Sequence, residues 1–512
     1  MDVIELKPRE YQKKIFEVAK ENNTLVVLPT GLGKTLIALM LAVDRKIKFP
    51  LSKILILAPT RPLVEQHLKS FEENLPELWA EMVLFTGSVN AKERVKMFQT
   101  AEIVFSTPQC IANDVRKCLY NLSDVSLLVI DECHRCLKNY DYTKVVDFYK
   151  RQSFDGWRRI LGLTASPGSE EKNVREICKH LDIEKIEVRT RDSEDVKDYL
   201  QEREFEKVVV PFPSEFLEIK VLLEKIYNNL VGTLKAKHLL FGPSRKVGLL
   251  KLQSRLSMRA GKRDGSAMYG MMLTAQAIKI SHAIELLETQ SLSGLYDYMK
   301  GLMAQASEKK SKGVQRLVKL AEFNAAFVLL TQLIGGKVEH PKIEECATIV
   351  EDSINSDKNF KVIIFTQFRD TAVVLAERLN KIDGINAVTF VGQAKKKNTG
   401  LTQKEQKKII VKMNSGEINV LVATSIGEEG LDIAEVSAVI FYEPIPSAIR
   451  KIQRAGRTAR LAPGKFIILM TKDTRDMINH YASSAREKKM YKILDDVKSG
   501  LDGKKELTLG DF

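Results

Sequence analysis

An α/β fold, with two parallel-sheet units of the nucleotide-binding kind and an all-helical unit inserted between them, is predicted by three observations. Strand-turn-helix segments recur from Leu25 to about residue 200 and return after His340-Pro341. Between those stretches the alternation gives way to helical periodicity, as in Phe216-Leu217-x-Ile219-x-Val221-Leu222-Leu223 and Ala277-Ile278-x-Ile280-x-x-Ala283-Ile284. A glycine-rich phosphate-loop pattern stands at the end of the first apolar strand and opens the first apolar helix.

That strand, Leu25-Val26-Val27-Leu28, runs into Pro29-Thr30-Gly31-Leu32-Gly33-Lys34-Thr35, and Leu36-Ile37-Ala38-Leu39-Met40-Leu41-Ala42 continues as a helix. Gly31 and Gly33 let backbone N–H groups approach phosphate oxygens with no Cβ in the way. The N-terminus of the new helix adds unpaired donors and a favourable dipole. Pro29, Thr30, Gly31, Leu32, Gly33, Lys34 and Thr35 are therefore candidate ligands of ATP, with Lys34 a cation for the β and γ phosphates and Thr35 a hydroxyl for Mg²⁺. The general pattern asks for glycine where Leu28 stands.

About a hundred residues on, Leu127-Leu128-Val129-Ile130 throws two carboxylates out at its end. Asp131 is placed to hold Mg²⁺, and Glu132 to orient and deprotonate an attacking water. Ile160-Leu161-Gly162-Leu163 ends in Thr164-Ala165-Ser166, whose hydroxyls can bridge to His134. Near the other end of the chain, Gln453-Arg454-Ala455-Gly456-Arg457-Thr458-Ala459-Arg460 sets Arg457 and Arg460 on one helical face, so that two guanidinium groups could reach a γ-phosphate held by the first unit.

Other strand ends carry hydroxyls and free backbone N–H groups at the edge where open α/β sheets bind ligands. Arg61, Thr86, Gly87 and Thr107 in the first half, with Thr366, Gly392, Gln393 and Thr424 in the second, are candidates for gripping a nucleic-acid backbone. Ordinary turn chemistry accounts for the same residues.

Composition supports a polyanionic partner. The net charge is +14 and the pI about 9.2, with 44% hydrophobic and 29% charged residues in 512. Between Ser214 and Glu345 there are 20 Lys+Arg against 12 Asp+Glu, so more than half of the excess lies in the helical stretch. Either it touches nucleic acid or it is a solvated basic bundle. Six cysteines are too few for a disulfide scaffold, and the lone close pair Cys133-x-x-Cys136 is not expected to bind zinc. Met258, Met268, Met271 and Met272 are expected as core filler. No apolar run is long enough for a bilayer and no leader is evident, so no membrane partner and a cytoplasmic, nucleoid-associated setting are expected. The expected boundaries are 1–204, 205–345, 346–490 and a basic tail at 491–512.

The order Pro29 to Thr35, Asp131-Glu132-Cys133-His134, Thr164-Ala165-Ser166 and Gln453 to Arg460 resembles superfamily 2 helicases over nearly the whole chain. Val391-Gly392-Gln393, Thr424 to Asp432, and Phe441-Tyr442-Glu443-Pro444 to Arg450 look like the archaeal Hef and Fanconi-anaemia M branch. The resemblance implies two RecA-like P-loop NTPase domains with the helical insertion between them. It makes Gln12 an adenine reader, although a solvated helix-start glutamine reads the same way. It adds Gly430, Asp432 and Gln453 to the nucleotide side and gives His134 a coupling role to Thr164 and Ser166.

It further implies ATP- and Mg²⁺-dependent 3′-to-5′ translocation on forked or four-way DNA in replication-fork repair, with a sliding clamp or other fork proteins as candidate partners. Two departures stand out: Cys133 and Ala459 replace an expected alanine and glycine. No segment resembles the nuclease that members often carry. Two rival functions remain: a duplex-RNA-dependent ATPase of the Dicer or innate-sensor type, and a nucleic-acid scaffold with a spent motor.

Overall fold

The computed structural model describes residues 7–76, 78–197, 199, 203–242, 244–260, 264–357, 359–392, 400–424, 436–445 and 464–506. The first sheet is built from β1 (Thr24–Val27), β2 (Lys53–Leu57), β3 (Met82–Phe85), β4 (Ile103–Ser106), β5 (Val125–Ile130), β6 (Arg159–Thr164) and β7 (Lys185–Val188). Its order is β3-β4-β2-β5-β6-β1-β7, and every pairing is parallel. A parallel sheet is covered by helices on both faces, so its strands read as unbroken apolar runs; all six residues of β5 are buried. Parallel pairing also carries the ends of β1, β2, β4, β5 and β6 to one edge, which gathers the loops that follow them.

The second sheet contains β8 (Arg203–Val210), β9 (Val362–Phe365), β10 (Ala387–Phe390), β11 (Val420–Ala423), β12 (Ala438–Phe441) and β13 (Gly464–Thr471), in the parallel order β10-β11-β9-β12-β13-β8. Here the sequence reading is corrected. Alternation was expected to stop near 205, yet β8 pairs with β13 along its whole length, from Arg203 beside Gly464 to Val210 beside Thr471. The chain thus enters the second sheet, leaves for the helical unit and returns at β9. Arg203-Glu204-Phe205-Glu206-Lys207 hid this strand because an edge strand keeps solvent contact and charge.

The helical unit packs Phe216, Ile219, Leu223 and Ile226 of helix Ser214–Ala236 against Ile280, Ala283, Ile284 and Leu287 of helix Gly265–Thr289. Spacings of three and four place each set on one face. The expected break near 262–266 coincides with a helix start, where Asp264 accepts the Ala267 N–H at 3.0 Å. Of the four methionines expected in a core, Met258 is 69% exposed and Met268 60%, while Met271 and Met272 pack against buried leucines.

The expected tail is also corrected. Arg475–Glu506 is one helix, and Met490, Ile493, Leu494 and Val497 from it are buried in the core of the first domain beside Cys133, Ile177 and Ile186. Among the described residues no helix is long and apolar enough to cross a membrane.

Candidate nucleotide site and nucleic-acid face

The phosphate loop closes β1 with two left-handed glycines, Gly31 at φ 88° and Gly33 at φ 73°, and helix Lys34–Lys48 starts directly after. Only glycine takes that conformation without cost, and Gly33 has a steric reason as well. A Cβ there would lie 2.3 Å from Gln12 Nε2. Gln12 is buried against the loop: its amide donates to the Leu32 and Gly33 carbonyls at 3.2 and 3.5 Å and accepts the Arg9 N–H at 2.8 Å. The Tyr11 hydroxyl donates to the same Leu32 carbonyl at 2.9 Å. In this arrangement Gln12 braces the phosphate loop. Lys34 donates to the Leu28 carbonyl at 3.0 Å, within the loop itself.

The two carboxylates follow β5 on the same sheet edge. Asp131 is buried; its Oδ2 lies 2.9 Å from His67 Nε2, and its Oδ1 accepts the Glu132 N–H at 2.9 Å. Burial by itself would raise the Asp131 carboxyl, but the His67 contact, the Lys34 charge and the Glu132 N–H together hold it below the usual carboxylate range. Tyr142 fixes the backbone there by donating to the Asp131 carbonyl at 2.7 Å. Glu132 adopts φ 50°, a left-handed backbone that costs a non-glycine residue about 1 kcal/mol and is concentrated at functional sites.

Beyond Glu132 the contacts form a relay. His134 Nδ1 is 3.1 Å from Glu132 Oε2 and 3.1 Å from Thr164 Oγ1. Thr164 donates to the Ser166 carbonyl and accepts the Ser166 N–H, both at 3.1 Å. Its proton being used, Thr164 accepts from His134, which makes Nδ1 the protonated nitrogen. The Ser166 side chain, expected to face His134, instead donates to Met490 Sδ at 2.8 Å.

These side chains fit a nucleoside triphosphate with a divalent cation. With the His134 Nδ1–H directed to Thr164, the buried Glu132 Oε2 accepts no hydrogen bond among the described residues, Asp131 is held ionised beside Lys34, and the glycine cradle leaves no room for a Cβ at Gly33. Thr35 and Asp131 would hold the cation, and Glu132 would face the water. No cluster of three or more His, Cys, Asp or Glu able to hold a metal ion by itself occurs among the described residues, and Cys133 and Cys136 are buried free thiols.

The nucleic-acid candidates separate by exposure. Gly87 has open space around it. Arg61 is surface-accessible but donates to Glu65 at 2.7 Å, and Glu65 in turn lies 2.9 Å from Lys407 of the second domain. Thr107 is half-buried and donates to Cys110 Sγ. Thr86, Thr366 and Thr424 are corrections, being buried. The Thr366 hydroxyl is spent on Gln290 and Glu443, and Thr86 shares its hydroxyl with Ser88. Gly392 is buried and accepts from Arg369 at 3.0 Å. Gln393, Gly430, Asp432, Gln453, Arg457 and Arg460 lie outside the described residues.

Sequence reasoning passed over His67, Gln290, Glu443 and Met490. His67 stands six residues after Arg61 on one helix, and only the sheet order that sets β2 beside β5 reveals its target.

Comparison with known proteins agrees with this architecture. Residues 9–174 match the DEAD/DEAH box helicase family, 342–462 the helicase conserved C-terminal domain, and 215–336 a helical bundle described as that of a putative ATP-dependent RNA helicase. The crystal structure of the Pyrococcus furiosus Hef helicase domain superposes with a TM-score of 0.71 and is 42% identical, over 93% of this chain and 98% of that one. A putative ATP-dependent RNA helicase of Methanocaldococcus jannaschii is 36% identical over 96% of this chain, and the ATP-dependent DNA helicase mph1 of Sclerotinia sclerotiorum 34% over 90%. The chain spans 61% and 39% of the lengths of those two relatives. With both motor domains, the helical bundle and nearly all of a solved helicase domain matched, the chain belongs to the ATP-dependent superfamily 2 helicases of the Hef and Fanconi-anaemia M branch.

Proposed function

We propose that this helicase moves 3′ to 5′ along DNA and acts on forks and four-way junctions in replication-fork repair, at the nucleoid. The relay from Glu132 through His134 to Thr164 supports the motor part of this reading, because it ties the carboxylate beside the phosphate loop to the turn that ends β6. Support for DNA comes from the name of the mph1 relative and from the concentration of basic charge in the helical insertion.

ATP would supply the transferable γ-phosphoryl group, and Mg²⁺ the positive charge that offsets its oxygens. Lys34 and the loop N–H groups neutralise and orient the phosphates, Thr35 and Asp131 hold the cation, and Glu132 takes the proton of the attacking water. Arg457 and Arg460, with Gln453, Gly430 and Asp432, complete the site from the second domain when the two close. His134 and Thr164 pass the change at Glu132 to the domain interface, and Arg61, Gly87 and Thr107 hold the strand by its backbone. Gln12 reads the adenine edge once its amide leaves the loop.

Duplex RNA is the second reading, favoured by the descriptions of the helical bundle and of the Methanocaldococcus relative. ATP turnover measured side by side with single-stranded, forked and four-way DNA and with duplex RNA, at stated salt, separates the two. Branched DNA should stimulate most. Stronger stimulation by duplex RNA would overturn the DNA assignment. Lys34→Ala and Glu132→Gln should abolish turnover while leaving nucleic-acid binding largely intact.

A further inference from the structure

We propose that Met490 is a positioning residue for ATP hydrolysis, and that its helix, Arg475–Glu506, is a tie-rod joining the Thr164-Ala165-Ser166 turn to the second domain and the helical unit. The proposal takes ATP turnover from the family and does not depend on the choice between DNA and RNA.

The contact at the first end is fully enclosed. Ser166 is 1% exposed and Met490 0%, with Ser166 Oγ donating to Met490 Sδ at 2.8 Å. Ser166 is bonded both ways to Thr164, Thr164 meets His134, and His134 lies against Glu132. Met490 therefore stands at the far end of an unbroken chain of contacts from the catalytic carboxylate. It also shares an apolar cluster with Cys133, the residue after Glu132. Ile493, Leu494 and Val497 seat the same helix face in the first domain, and Asp502 pairs with Lys185 at 2.6 Å.

The other end of the rod is anchored elsewhere. Asp476 Oδ2 is 2.7 Å from Lys342 Nζ, both side chains buried, and it also accepts the Thr471 N–H at 3.0 Å at the end of β13. Arg475 donates to the Ser281 carbonyl at 2.6 Å and lies 3.4 Å from Glu288, both on helix Gly265–Thr289 of the helical unit. From Asp476 to Met490 a continuous helix spans about 21 Å at its usual rise.

A thioether is a weak acceptor, so its hydrogen bond alone stabilises little. What matters is that a movement of the second domain or of the helical unit must either carry the Thr-Ala-Ser turn with it or break an enclosed contact. Packed elements of this kind respond in discrete steps. The helix thereby makes the setting of His134 and Glu132 depend on where the other two units stand.

The test uses the full chain with Met490→Leu, which keeps volume and loses the acceptor, Ser166→Ala, and the double variant. Thermal melting, the KM for ATP, and kcat with and without stimulating nucleic acid are measured. The expected result is a melting point within a few degrees of wild type, an unchanged KM, and a stimulated kcat reduced roughly three- to tenfold with the unstimulated rate little altered. The double variant should be no worse than the weaker single. Arg475→Ala, far from the turn, should give the same kcat-only loss and serves if Met490→Leu fails to fold. A wild-type stimulated kcat in Met490→Leu, or in Arg475→Ala where that variant stands in for it, overturns the proposal, as do multiplicative losses in the double variant. Absence of ATP turnover in the wild-type protein would instead overturn the enzymatic reading from which it starts.

Discussion

His67 Nε2 lies 2.9 Å from Asp131 Oδ2, so the helix that begins at Arg61 is fastened to the carboxylate placed to hold the metal. Both side chains are buried. A partner that orients a metal-side carboxylate and favours its ionised form typically changes metal affinity by roughly 10- to 100-fold when removed. His67→Ala should therefore raise the Mg²⁺ concentration for half-maximal ATP turnover by about tenfold or more. At saturating Mg²⁺ the KM for ATP should stay near wild type. A Mg²⁺ titration of turnover checks this, and an unchanged midpoint would make His67 a packing residue only.

Cys133 stands where the resemblance expects alanine, and its surroundings explain why the exchange is harmless. It is 0% exposed, and burial pushes its thiol well above the usual cysteine range, with nearby Cys136 and Glu132 adding to the effect. A Cβ on Gly162 would come within 3.2 Å of its sulfur, so the side chain fills space against β6. Cys133→Ala should leave kcat unchanged and cost about 1 kcal/mol of stability through the small cavity. Native-state alkylation followed by mass spectrometry should spare Cys133 and mark exposed Cys118.

The reach of the sequence follows from how each feature is encoded. The phosphate loop, Asp131 and Glu132 were legible because a buried parallel strand is an apolar run and the chemistry sits at its end. That same rule misplaced Thr366 and Thr424: a strand-end position does not say whether the side chain meets solvent, and both are buried. β8 was missed because its charged residues belong to a strand at the sheet edge whose partner among the described residues, β13, lies more than two hundred residues away. The C-terminal helix reads as basic because its apolar residues are scattered among charges, and the four that seat it, Met490, Ile493, Leu494 and Val497, cover the core of a domain whose last strand ends at Val188, far back in the chain. His67 carried no local signal at all.

Acid should loosen the helical unit before the motor domains, through Glu285. Burial works to raise its carboxyl, but hydrogen bonds from His282 and Lys246 outweigh that and bring it down from 4.5 to about 2. A carboxylate depressed in the folded state contributes stability above its unfolded value, and loses it as pH falls from about 4.5 towards 2. The contribution is at most about 3 kcal/mol and smaller after solvent screening. Glu285→Gln should lower the melting point at pH 6 and flatten its dependence on pH between 5 and 3, followed by helical circular dichroism. An equally steep acid transition in the variant would assign it to other carboxylates.

The Lys342–Asp476 pair presents the opposite energetic case. Both side chains are essentially inaccessible, Lys342 also donates to the Tyr442 carbonyl at 3.0 Å, and its ammonium lies 4.6 Å from the Tyr442 ring centre. Burial raises the Asp476 carboxyl above its usual range in spite of Lys342, so removal from water outweighs the attraction. Breaking such a pair leaves a lone buried charge and costs about 3–5 kcal/mol, whereas replacing both partners by apolar residues of similar size is often neutral. Lys342→Met should thus destabilise the chain strongly in urea unfolding, and Lys342→Met with Asp476→Leu should recover most of the loss. Because Asp476 also binds the Thr471 N–H and anchors the tie-rod, the double variant should regain stability without regaining full stimulated turnover. Recovery of both together would mean that the pair contributes stability alone and that the helix needs no buried anchor to do its work.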